Sequence, residues 1–283
     1  MSLLDLLRSQ QDNPPPPIDP SLVGDARAEA IKARMPATLQ AAINKPLVTR
    51  RRESYITVHE PTKDMLKYAN ICAFRTEPVL ILGESGTGKE LIAQIMLGNK
   101  PLEKFYPVNC AGITDTLFES LIFGHKTGAF TGAVTDQKGL LVQAGDGLVF
   151  FDELGELPLS QQAKLLRAIQ SRRIMPVGSS SEVSINCRFV FATNRNLRAM
   201  IQAGTFREDL YYRIAALKFT TYPLRDRPDD AIIIADDYCI QRDLAVPNTQ
   251  IPDSIIQSRG NVRALQNWLT AINAFGEDYP YTE

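Results

Sequence analysis

The sequence predicts an α/β fold, a parallel sheet sandwiched by helices and followed by a small helical C-terminal unit. Three observations carry this. From Ile56 to Tyr222 short apolar runs alternate with stretches of helical periodicity, the pattern of strands joined by crossover helices. A glycine-rich run, Gly83 to Lys89, lies directly between the first such strand and the helix after it. Beyond Pro223 strand signals fade and only helical text remains.

The expected strands are Val79–Leu82, Tyr106–Asn109, Leu148–Phe151, Arg188–Thr193 and Leu217–Thr220, the first and third of them wholly Val, Leu, Ile and Phe. Helices are expected over Lys89–Leu97, Asp115–Phe123 and Ser160–Gln170, then over Asp229–Arg242 and Asn261–Phe275. Residues 1–55 read as an N-terminal arm or linker, 56–222 as the α/β domain and 223–283 as a shortened helical lid. The arm carries Leu3, Leu4, Leu6 and Leu7, a run from Pro14 to Pro17, and Arg50, Arg51 and Arg52. Its Ala-rich stretch places Ile31, Met35, Leu39 and Ile43 four residues apart. Prolines in a row force extended backbone, whereas the fourfold spacing makes one apolar helical stripe, so the arm is either a linker or a docking element.

Composition narrows the function class. The chain has 283 residues, 44% hydrophobic and 22% charged, with a formal net charge of −1, the balance of a soluble globular protein. No apolar run is long enough for a membrane span, and the start lacks a basic, cleavable leader, so a cytoplasmic protein with no membrane partner is expected. Cys72, Cys110, Cys187 and Cys239 are far apart and have only His59 and His125 as companions, which is no zinc spacing; reduced thiols are expected. A near-neutral charge gives no broad electropositive field, so DNA contact is expected to be indirect or through a partner.

The run Gly83-Glu84-Ser85-Gly86-Thr87-Gly88-Lys89 is a phosphate-binding loop. Its glycines let backbone N–H groups turn toward phosphate oxygens, the following helix presents its positive end, and Lys89 reaches the β and γ phosphates. Glu90 stands where a Ser or Thr hydroxyl ordinarily meets Mg²⁺, which shifts the metal's support toward Asp152, acting through water. Asp152 and Glu153 end the apolar run Leu148 to Phe151, and a strand buried on both faces delivers its last residues to the edge where open α/β sheets bind ligands. Asp152 is expected on Mg²⁺ and Glu153 on the attacking water of ATP hydrolysis. Asn109 and Asn194 stand at neighbouring strand ends, where an amide either caps a turn or orients Glu153 or the γ-phosphate.

Read together, GESGTGKE, GAFTGA over Gly128 to Ala133, LVFFDELGELPLSQQAKLLRAIQ, ATNRNL and FREDLYYRI resemble the ATPase domain of sigma-54-dependent transcriptional activators, a branch of the AAA+ P-loop NTPases. The resemblance runs from about Ile56 to Asp230 and returns at Gly260-Asn261-Val262-Arg263, and Glu90 is the family's usual residue. It implies an ATPase working as a homo-oligomeric ring, a hexamer, that remodels the RNA polymerase holoenzyme carrying sigma-54. Gly128, Ala129, Phe130, Thr131, Gly132 and Ala133 would form the loop that presses on sigma-54. By the same resemblance Asn109 is the switch that restrains Glu153, and Asn194 is a γ-phosphate sensor. Arg207 and Arg213 match the family's paired arginines, one or both of which reach a neighbour's nucleotide as a finger, and Arg263 is the lid's sensor. The chain departs from the family with His125-Lys126-Thr127 in place of His-Glu-Lys, Arg259 in place of a proline, and Ala264 in place of a glutamate. It also has no room for the usual sensory and helix-turn-helix domains in residues 1–55 or after Phe275, so control and DNA targeting are expected from elsewhere. Two other readings compete: a hydrolysis-poor paralogue that joins mixed rings of a full-length activator, and an AAA+ motor acting on another partner.

Overall fold

The computed structural model describes residues 55–130, 133–247 and 249–276; Thr131 and Gly132, and residues 1–54 with their proline run and triple arginine, lie outside them. The chain forms two units. One comprises Lys67–Gly83 and Lys89–Thr221; the described residues of the other are 55–66, Glu84–Gly88, 222–247 and 249–276.

The first unit is built on five parallel strands, β1 (Val79–Leu82), β2 (Phe105–Asn109), β5 (Leu148–Asp152), β8 (Arg188–Thr193) and β9 (Leu217–Thr220), in the order β2-β5-β8-β1-β9. Parallel neighbours need crossovers, and helices supply them: α2 (Lys89–Ile95) after β1, α3 (Asp115–Phe123) after β2, α5 (Leu159–Ser171) after β5, α6 (Leu197–Gln202) and α7 (Glu208–Ile214) after β8. Strand β5 is buried on both sides until Asp152, which explains its unbroken apolar run. Phe151, Phe189 and Phe191 stack on one face with ring centroids 5.3–6.4 Å apart. Each such buried ring contributes about 1.5–3 kcal/mol of transfer free energy. The expected helix to Leu97 stops at Ile95, because Gly98 adopts φ +68° and the last turn tightens.

Two short hairpins escape the sequence pattern. Strands β3 (Gly124–His125) and β4 (Gln137–Lys138) pair antiparallel, as do β6 (Arg173–Ile174) and β7 (Val183–Ser184). A short helix, α4 (Leu140–Gln143), follows β4.

The second unit includes the first residues of α1 (Glu60–Ile71), and its helices α8 (Pro228–Gln241), α9 (Asp253–Gln257) and α10 (Val262–Phe275) enclose a core of their own. Leu224, Ala231, Ala235, Cys239, Leu265, Trp268, Leu269 and Ile272 fill it. All four cysteines are buried free thiols. Among the described residues no helix is long and apolar enough to cross a membrane.

Candidate nucleotide site and its associated loop

The carboxyl edge of the sheet gathers four of the predicted side chains. Asn109 and Asp152 stand opposite each other in the β2–β5 register, and the Cys110 N–H donates to the Asp152 carbonyl at 2.9 Å. Asn194 follows β8 directly, while the Gly83 N–H donates to the Thr193 carbonyl at 3.2 Å. The Lys89 ammonium is buried and donates to the Gly83 carbonyl at 3.0 Å.

Glu153 is the unusual member. Its backbone is left-handed, φ 51° and ψ 44°, which costs a non-glycine residue about 1–3 kcal/mol. Its Oε2 is buried and has no hydrogen-bond partner among the described residues. Its backbone N–H donates to Asp152 Oδ1 at 3.0 Å. Arg195 braces the turn that follows, through Gly155 O at 3.3 Å and Glu156 Oε2 at 2.7 Å. Such strain, with an orphaned carboxylate oxygen, belongs where a polar ligand or water completes the site.

Asn109 and Asn194 are exposed. Asn109 Oδ1 accepts from the Ala111 N–H at 2.9 Å, which caps its own turn, and no bond joins it to Glu153. Burial among neighbouring carboxylates pushes the Cys110 thiol well above its ordinary range, so it stays protonated beside Asp152 and Glu153.

The loop Glu84–Gly88 is shaped by its glycines. Gly86 has φ +74°, and a Cβ there would lie 2.1 Å from the Gly260 carbonyl oxygen; at Gly88, φ +92°, it would strike the Tyr55 ring at 2.8 Å. Tyr55 donates to the Thr87 carbonyl at 3.0 Å, and the Val262 N–H donates to the Gly86 carbonyl at 3.2 Å. Glu84 is held by both nitrogens of Arg225, at 2.8 and 2.5 Å, and by Asn261 Nδ2 at 3.2 Å. The Arg225 guanidinium above all holds the Glu84 carboxyl down to about 2. Arg263 donates to Ser85 Oγ at 3.1 Å, which sets the predicted lid arginine on the phosphate loop. Ala264 is buried, 2.9 Å from where a Cβ on Gly260 would sit.

Arg207 caps the start of α7, where Gln162 Oε1 accepts its backbone N–H at 2.8 Å and Asp209 grips its guanidinium at 3.0 and 2.6 Å. Arg213 is exposed in the last turn of the same helix and forms no ion pair among the described residues. Glu90 is exposed in the first turn of α2.

Of the GAFTGA run, Gly128, Ala129, Phe130 and Ala133 are described. The Gly128 N–H donates to Ala133 O at 2.8 Å, and Ala129 lies against Gly178 in the loop that joins β6 to β7. Sequence alone did not single out Tyr55, Gln162, Arg195, Arg225, Arg227, Asp230 or Asn261. An arginine three residues before an acid at a helix start, Arg227 and Asp230, was the one available signal.

Comparison with known proteins follows the same lines. The sigma-54 interaction domain family matches residues 55–220. The response regulator protein PilR of Pseudomonas aeruginosa is 36% identical over 272 residues, 93% of this chain and 59% of that protein. The regulatory protein AtoC of Escherichia coli is 42% identical over 199 residues, 69% of this chain and 43% of that protein. The chain thus spans about half the length of these relatives. Among solved structures, NtrX from Brucella abortus in complex with ATP superposes with a TM-score of 0.66 at 24% identity, over 80% of this chain and 52% of that one. Hsp104 of S. cerevisiae with casein gives 0.54 at 17%, over 76% and 44%. These likenesses establish the AAA+ fold, and with a family match over more than half its length the chain belongs to the sigma-54 interaction domain family.

Proposed function

We propose that this chain hydrolyses ATP in a homo-oligomeric ring, a hexamer, and uses the Gly128–Ala133 loop to remodel sigma-54 RNA polymerase holoenzyme and so activate transcription. Glu153 carries the reading: a strained backbone and a buried, unpartnered carboxylate oxygen support a general base that polarises water. The residues fit a nucleotide's phosphates. Gly83 turns the chain out of β1, Ser85, Gly86, Thr87 and Gly88 supply a cradle of backbone N–H groups, Lys89 supplies charge, and Arg225 neutralises Glu84, whose carboxylate would otherwise repel an anion. Asp152 would hold Mg²⁺ through water, and when bound the ion supplies neutralisation of phosphate charge. Asn109 and Asn194 orient groups at the strand ends, and Arg263 follows the γ-phosphate from the lid. Arg207 and Arg213 act on a neighbour's nucleotide, since fingers in trans are worth about 10³–10⁵ in rate. DNA is reached through a partner, and the location is cytoplasmic.

The test is ATP hydrolysis against protein concentration for the wild type and Arg207→Ala, with sigma-54 capture in the presence of a transition-state analogue. A rate per subunit that climbs with concentration and collapses in the variant, together with capture, is the expected result. A flat, negligible rate with nucleotide still bound would replace the motor by the hydrolysis-poor ring partner.

A further inference from the structure

The loop that carries Phe130 rises from a stem whose residues the proposed chemistry does not use. Phe130 is only half exposed, because its ring stands edge-on to the His125 imidazole, centroids 5.0 Å apart at 65°. His125 is itself fixed from three sides. It is buried, its Nδ1 shares a hydrogen bond with Ser120 Oγ at 2.8 Å, and its backbone pairs with Gln137 in β4 and bridges to Val177. A ring already held in place lowers the entropy lost in ordering a second ring against it.

Just above, one carboxylate closes the stem. Asp136 accepts from Lys126 Nζ at 2.5 Å, from the Thr127 N–H at 2.8 Å and from Thr127 Oγ1 at 3.1 Å. Lys126 and Thr127 are where this chain departs from the family's Glu and Lys. A glutamate at 126 would face Asp136 with like charge, so the departure creates this chain's own clasp.

We infer that His125 is a positioning residue that seats Phe130 against the β3–β4 stem, with the Lys126–Asp136 clasp holding the stem closed beneath it. The seat rests on geometry alone; its consequence for sigma-54 rests on the function proposed above. A seated Phe130 is withheld from a partner until the loop lifts. Removing the seat therefore frees the aromatic without touching the ATPase machinery.

The experiment uses the full chain and two complementary substitutions. His125→Asn keeps an amide for Ser120 but removes the ring; His125→Phe keeps a ring but loses the hydrogen bond. Chymotryptic cleavage after Phe130, followed by mass spectrometry, reads the seat directly, and ATP hydrolysis serves as the folding control. We expect cleavage to rise about three- to tenfold in His125→Asn, the range an edge-to-face pair is worth, and to stay near wild type in His125→Phe. The reverse order, an equal rise in both or no change in either overturns the seat. In the second arm, capture of sigma-54 without a nucleotide analogue should rise by a similar factor in His125→Asn only. Faster cleavage with unchanged capture overturns the withholding role, whereas wild type that never captures sigma-54, even with the analogue, overturns the function and leaves the seat to be judged by cleavage.

Discussion

Glu153 holds a left-handed backbone that a glycine would adopt more cheaply, so what keeps a glutamate there is its carboxylate. Glu153→Gln preserves shape and removes the charge proposed to polarise water. Hydrolysis should fall about a hundredfold or more while nucleotide affinity, read by a fluorescent analogue, changes little. Loss of binding alongside hydrolysis would mean that the side chain supports the site rather than acting in it. Arg225 and Glu84 test the phosphate loop differently. Arg225→Ala leaves an uncompensated carboxylate within the loop and should weaken ATP binding about tenfold or more. Adding Glu84→Gln should recover most of that loss, because the arginine's task is to cancel a charge; no recovery would mean Arg225 acts on the nucleotide itself. The folded Glu84 carboxyl sits near 2 against an ordinary 4.5. Its contribution to stability is therefore present in full above pH 4.5 and lost as pH falls toward 2. Chemical denaturation of Glu84→Gln across that window should show a shallower pH slope than wild type.

A strap of five residues before α1 is fastened to the start of α8. Asp230 is fully buried, and its carboxylate accepts from Thr57 Oγ1 at 2.6 Å, the Val58 N–H at 2.7 Å, the His59 N–H at 3.3 Å and Arg227 Nη1 at 3.0 Å. Arg227 in turn lies over the Tyr55 ring at 5.4 Å. Cutting one partner from a buried pair leaves the other charge stranded, so Asp230→Ala should cost about 3–5 kcal/mol, visible as a lower denaturant midpoint. A loss below about 1 kcal/mol would show the strap to be held by packing instead. This element was illegible beforehand because Asp229 and Asp230 look like any acidic first turn, and only the fold brings Thr57 to Asp230. Strands β1 and β8 were legible to the residue, since burial on both faces writes itself as a continuous apolar run, and β9 was legible from the alternation of Leu217 and Phe219 with polar residues. The two-residue strands β3, β4, β6 and β7 were not, because partners supplied by the fold define them. Of the site, the glycines, Lys89, Asp152 and Glu153 were readable from spacing to a strand. The Arg225 partner of Glu84 and the Gln162 partner of the Arg207 backbone were not, since only the tertiary structure brings them together, whereas Asp209, two residues from Arg207, stood in reach of a sequence reading.

At the scale of the whole molecule the question is where Arg207 works. Within one chain it is exposed at the start of α7 and bound to Asp209, while Gln162 pins its backbone to α5. An exposed ion pair is worth about 0–1 kcal/mol, so Asp209 can hold the guanidinium ready yet release it cheaply to a phosphate. A group presented outward on a fixed backbone suits a partner's site, and that reading makes a prediction no monomeric arrangement shares. Lys89→Ala lacks the lysine proposed to bind phosphate but keeps the proposed finger; Arg207→Ala keeps the lysine but lacks the finger. Each alone should be nearly inactive. Mixed in equal amounts at a concentration where rings form, about a quarter of the interfaces pair an intact site with an intact finger, one half times one half under random assembly. Hydrolysis should therefore return to as much as about a quarter of the wild-type rate, rising with total concentration. If Arg207 served its own subunit, every site in the mixture would lack one group or the other, and mixing would restore nothing.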